Sequence, residues 1–144
     1  MLKSKIKTTN HLLDEWFRFR QQLETSNSPL EDVHEYFSKH PTIKVYTDPY
    51  DQSTWPTPWE LIDENEYCSF NKILAVCYTL QLTTAYQNHQ PKIAIAIDNS
   101  NKTVYYLLFL DDKVYGYDFD GWISVQSLPK TLKTIKIYDM EPLH

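Results

Sequence analysis

Five strand-like segments fill the C-terminal half of the chain: KIAIAID from Lys92, TVYYLLFL from Thr103, KVYGYDF from Lys113, WISV from Trp122 and TIKIYD from Thr134. The first shows the alternation of a strand, and the second is apolar on both faces, as a central strand is. The connections are Asn99 to Lys102, Asp111-Asp112 and Asp120-Gly121. Such short links leave no room for a crossover, so neighbouring strands are expected to run antiparallel. This predicts a four- to five-stranded antiparallel meander. With helices ahead of it, the fold class is α+β, the helices lying on one sheet face.

The first half carries helical spacing. Leu12, Leu13, Trp16, Phe17 and Leu23 recur near a 3.6 period and predict a helix from Thr9 to Glu24 with one apolar face. Thr25-Ser26-Asn27 ends it. SPLE at Ser28 and TPWE at Thr57 have the form of capping boxes with Pro at the first helical position. They predict helices starting after Ser28 and after Thr57. Pro41 stops the first, and Thr42 to Asp48 reads as an edge strand. DPYDQSTWP is an extended loop, with Trp55 placed to staple against the helix that follows. A further helix is expected from Cys68 or Ser69 to Ala85, with Cys77 on its apolar side. The whole, residues 1–144, reads as a single domain. It comprises a helical pair (1–41), a strand, aromatic loop and short helix (42–67), a central helix (68–85) and the sheet (92–138).

Charge and motifs exclude several functions. Fourteen Lys and Arg against 19 Asp and Glu give a net charge of −5, which disfavours general nucleic-acid binding. Lys130, Lys133 and Lys136 are read as a solvated face. Only two glycines are present and no phosphate-cradling motif. No run of 18 apolar residues occurs and no signal-peptide pattern opens the chain, so a membrane span and secretion by a signal peptide are not expected. Cys68 and Cys77 lie about 13 Å apart along one helix, too far for a disulfide, which fits reduced thiols inside a cell or virion. His11, His34, His40, His89 and His144 show no metal-ligand spacing, so no metal and no cofactor is expected.

Cys68 is the sharpest chemical candidate. It stands at a helix N-terminus, where free N–H groups and the dipole favour a thiolate. A helix headed by Cys and followed by an antiparallel sheet resembles the core of transglutaminase-like and papain-like thiol enzymes over roughly Cys68 to Val125. That resemblance implies a nucleophilic Cys68 and an orienting Asp118 in YDFDG. It also implies a base around Thr103 to Tyr106, where this chain has no histidine; His89 is the nearest candidate. The segment STWPTPWELIDENEYC and the tyrosine-rich strands also resemble small uncharacterised tailed-bacteriophage proteins, which implies a virion or accessory role.

Three functions follow as expectations. The first is a non-catalytic assembly or interaction protein, binding a protein partner or itself through Trp55, Trp59, Trp122 and the strand tyrosines. The second is a cysteine-dependent amidase, peptidase or acyl transferase using Cys68, His89 and Asp118. The third is a peptide or small-ligand module, which predicts a concave pocket beside Trp55 and Trp59.

Overall fold

The structure is a computed structural model that describes residues 2–44 and 47–143, with side chains from residue 11 onward. Four helices precede five strands: α1 Leu2–Leu23, α2 Pro29–Ser38, α3 Pro58–Glu64, α4 Ser69–Gln81, then β1 Lys92–Asp98, β2 Thr103–Leu110, β3 Lys113–Asp118, β4 Gly121–Ser124 and β5 Leu132–Asp139. The class is α+β, and helices come before the sheet as the sequence predicts.

All strand pairs are antiparallel, and the order is β4-β3-β2-β1-β5. The meander holds from β1 to β4. The fifth strand departs from it and returns to the free side of β1, so the segment after Ser124 crosses the outer sheet face. Val125 and Leu128 from that crossing pack on Ala94, Ala96, Leu107 and Val114. The opposite face presents Ile93, Leu108 and Leu110 to α4, whose Phe70, Ile73, Leu74 and Cys77 complete the main core. Two layers of unequal thickness result, helices on one side and a short strap on the other. The register of β1 against β5 shifts between Ile95 and Ala96, leaving Ile135 as an extra residue on the outer strand.

The TPWE capping box forms. Thr57 N donates to Glu60 Oε1 at 2.9 Å, and Glu60 N donates to Thr57 Oγ1 at 3.3 Å. The box at Ser28 does not form: Ser28 makes no side-chain cap bond. Ser26 intervenes, its Oγ accepting from Ser28 N at 3.0 Å and donating to Asp32 at 2.5 Å. Trp55 does not staple α3. Its indole N–H donates to the Asp48 carbonyl, and its ring packs on Phe70 and Tyr138.

Other boundaries move for local reasons. Helix α1 begins at Leu2, seven residues before the expected start at Thr9, in a stretch with no Gly or Pro to stop it. Phe17 is 50% exposed and does not join the apolar face with the buried Trp16 and Leu23. Helix α4 ends at Gln81 because the Thr83 hydroxyl and N–H both take the Leu80 carbonyl. The expected edge strand over Thr42 to Asp48 is reduced to one parallel bridge, Thr42 to Tyr67; Val45 and Tyr46 lie outside the described residues. No helix among the described residues is long and apolar enough to cross a membrane.

Candidate functional site

Cys68 is the N-cap residue of α4, extended at φ −75° and ψ 170°, with no side-chain cap bond. Its carbonyl accepts the first helical bond, from Lys72 N at 3.1 Å. The side chain is 0% exposed. Tyr67 before it and Phe70 after it are also buried, so the thiol enters a closed aromatic corner. A buried thiol behaves as a small apolar group and leaves no polar demand unmet.

The wall facing this corner comes from β2. Strand alternation sends Tyr106 to the same side as Leu108 and Leu110, toward α4. Its ring meets Phe70 edge-on at 5.3 Å between centroids. Burial raises the Tyr106 phenol above its ordinary pKa, and the nearby Tyr50 and Cys68 raise it further. Tyr106 therefore stands where the transglutaminase-like resemblance places the base. Tyr105, one residue earlier, points to the other face and packs on Tyr117 at 4.9 Å.

On β3 the neighbour of Tyr106 is Gly116, with φ +107°. A Cβ built there would lie 2.2 Å from the Tyr106 carbonyl oxygen and 2.9 Å from Ile73 Cδ1. Glycine thus lets β3, β2 and α4 close together, and no side chain orients Tyr106 from that position. Asp118 is exposed at the end of β3, where its Oδ1 accepts from Asp120 N at 3.0 Å. That bond shapes the β3–β4 hairpin.

His89 lies elsewhere. Its Nδ1 is 2.9 Å and 3.1 Å from the two carboxylate oxygens of Asp111, and its ring meets Tyr86. Asp111 is five residues beyond Tyr106, about 16 Å along a strand. His89 follows the far end of α4, whose 13 residues span about 20 Å. Cys68, His89 and Asp118 thus occupy three separate places. Among the described residues no hydrogen bond joins Cys68 to a histidine, and no group of three or more His, Cys, Asp or Glu is placed to hold a metal ion.

Cys77 is sealed in the core, its thiol pushed far above the ordinary range by burial, and its Sγ lies 3.6 Å from Gln81 Oε1. Asn71, one turn into α4, is fully buried, and neither its Oδ1 nor its Nδ2 finds a partner among the described residues.

The three tryptophans separate as well. Trp55 is half-buried over Phe70 and Tyr138, and lines a hollow of about 320 Å³ with Thr47, Ser53, Thr54, Pro56, Glu60 and Glu64. Trp59 does not share that hollow. Trp122 is half-buried against Tyr115, and its buried indole nitrogen has no partner among the described residues. Trp59 is 50% exposed and meets Trp16 edge-on at 5.5 Å. The strand tyrosines Tyr105, Tyr106, Tyr115, Tyr117 and Tyr138 are all partly buried.

Residues with no site motif of their own in the sequence hold much of this geometry. Tyr106 and Gly116 build the wall of the Cys68 corner. Arg20 lies over the rings of Trp16 at 4.4 Å, Phe17 at 5.4 Å and Trp59 at 5.7 Å. The alternation of β2 carries the signal for Tyr106, two residues before the core residue Leu108. The i, i+4 spacing of Trp16 and Arg20 carries the signal for their contact.

No protein-family model matches the sequence, and no curated protein matches it either. Solved structures do match in three dimensions. Legionella pneumophila LapG superposes with a TM-score of 0.67 at 17% identity, over 91% of this chain and 74% of LapG. Its EGTA-treated form gives the same values. The calcium-bound form gives a TM-score of 0.60 at 14% identity, over 96% of this chain and 83% of LapG. None of these is a phage protein, and the phage resemblance gains no support from them. The likeness extends over nearly the whole chain and shows the fold alone: helices followed by an antiparallel sheet.

Proposed function

We propose that this chain is a non-catalytic assembly or interaction protein built on a transglutaminase-like scaffold. The carrying observation is the Cys68 corner, where the thiol is 0% exposed and the facing residue on β2 is Tyr106. A cysteine nucleophile needs a base within hydrogen-bond reach and an approach for substrate. Tyr106 with a raised pKa is a poor proton acceptor near neutral pH, because its phenol stays protonated there.

The test is alkylation of the native protein by iodoacetamide across pH, with each cysteine followed by peptide mass spectrometry. Cys68 is expected to label as slowly as the core residue Cys77, both reacting only when the chain is unfolded. Fast labelling of Cys68 well below about pH 8 would overturn the reading.

The second reading is a cysteine-dependent amidase, peptidase or acyl transferase. The shared LapG fold and the position of Cys68 at the head of α4 favour it. In that reading Cys68 is the nucleophile, His89 the base and Asp118 the orienter. It requires His89 to leave Asp111 and reach the other end of α4. A virion role rests on the Trp-Pro-Thr-Pro-Trp segment, whose residues here cap α3 and seat Trp55, and it forms no part of the proposal.

A further inference from the structure

We propose that Arg20, Phe17 and Trp59, at the seam of α1 and α3, form the docking point for a partner segment that presents a carboxylate beside an apolar side chain. The proposal rests on the interaction reading and names the partner chemistry.

Trp16, Phe17 and Arg20 occupy one sector of α1, since residues three and four apart share a helix face. Trp16 is buried and donates its indole N–H to Thr79 Oγ1 at 3.1 Å, which fixes the ring against α4. Trp59 closes edge-on over it from α3. Arg20 is gripped by three ring faces, a favourable place for a cation. The grip leaves one of its donors unmet: among the described residues the buried Arg20 Nε has no acceptor, and no carboxylate pairs with the guanidinium. Burial lowers the pKa of the group, the mark of a charge partly stripped of water without compensation.

The rim explains what would compensate it. Phe17 and Trp59 are each 50% exposed and flank the guanidinium. An incoming carboxylate would meet a planar fork of donors inside an apolar collar, where a charge-assisted bond is strong and water is excluded. An apolar side chain beside that carboxylate would cover Phe17 and Trp59. Trp and Arg enclosed by a partly apolar rim are the composition that dominates interface energetics. A carboxylate adds to its hydrogen bonds a charge pairing with the guanidinium that a neutral amide cannot make, so the patch selects for the acid.

The experiment is fluorescence anisotropy of the full chain with a labelled peptide alternating Asp or Glu with Leu or Phe, set against a twin carrying Asn and Gln. The acidic peptide is expected to bind at least roughly tenfold more tightly than its amide twin. Arg20→Met is expected to abolish that preference. Arg20→Lys, which keeps charge but loses the planar fork, is expected to lose most of it. Trp59→Ser is expected to weaken both peptides, with circular dichroism at the assay temperature checking that the variant is folded. Equal binding of the twins, no binding of either, or an unchanged preference in folded Arg20→Met would overturn the proposal. So would light scattering that shows a dimer lost in Arg20→Met, which would assign the patch to a second copy. Failure here with Cys68 still inert to alkylation sinks the patch alone, whereas a reactive Cys68 sinks the interaction reading itself.

Discussion

Cys68 and Arg20 are both enclosed by aromatic rings, and the two enclosures have opposite consequences. Around Cys68 the rings finish a core: the thiol is buried and asks for nothing more. Around Arg20 they hold a cation whose Nε lacks an acceptor among the described residues, at a surface where two rings stay half open. A cysteine at the head of a helix advertises reactivity in a sequence, yet here it is the buried member of the pair. An arginine among aromatic residues advertises nothing, yet it carries the unmet demand. What a residue type can do chemically matters less than whether its neighbours have already answered it.

Removing the floor of the arginine site gives the largest expected effect. Trp16→Ala should cost about 3–5 kcal/mol in urea unfolding, because the ring fills the α1–α4 contact and bonds Thr79. A cost near that of a surface substitution would show that the Arg20 enclosure is not anchored to the core. Gly116→Ala attacks the other enclosure. Its new methyl collides with the Tyr106 carbonyl at a backbone angle that side chains rarely adopt, so a loss of about 3 kcal/mol is expected. Tyr106 should then be forced off Cys68, and the alkylation rate of the native thiol should rise. An unchanged melt would remove Gly116 as the reason for the close approach.

The caps test the comparison more gently. Thr57→Ala should cost about 1 kcal/mol, since α3 carries Trp59 and starts on a complete capping box. Ser28→Ala should cost only a few tenths of a kcal/mol, as Ser28 makes no cap bond. Equal losses from the two would contradict the observed bonding. The smallest effect is a pH dependence. The Thr57 backbone N–H and side chain hold the Glu60 pKa below its ordinary value of 4.5. A depressed carboxyl stabilises the fold above its unfolded pKa, and the gain disappears as pH falls through the folded value. Glu60→Gln should therefore be slightly less stable than the parent at neutral pH and converge with it in acid. Parallel curves across that range would sink the assignment.

Much of this architecture was legible because it is local. The strands from Lys92 onward, the TPWE box and the apolar stripe of α4 each depend on residues a few positions apart. SPLE and TPWE show where that stops. Both fit one pattern, but Ser26 is free to bond Ser28 N and Asp32, and the rule looks only forward from the cap. The neighbour of β5 was not legible either, since a strand sequence fixes which residues face which way and not which edge it joins. For the site, Cys68 at the head of α4 could be read directly. That Tyr106 closes on it, and that His89 spends its bond on Asp111, are long-range facts set by sheet register and helix length.

The strand order has a consequence for how the chain is made. The side of β1 that faces β5 pairs Lys92 with Asp139 and Ile97 with Lys133, contacts 47 and 36 residues apart in sequence. On a ribosome, β1 and β2 emerge first and can zip together while that side of β1 still hangs open. Contacts of such separation close slowly, so an apolar strand edge waits for β5 to arrive. A chain halted after the β4–β5 strap would keep that edge for good, ready to pair with any neighbour. The bulge at Ile135 and the lysines at 133 and 136 lie on the strand that finally covers it. Docking of β5 thus exchanges a sticky border for a twisted, charged one.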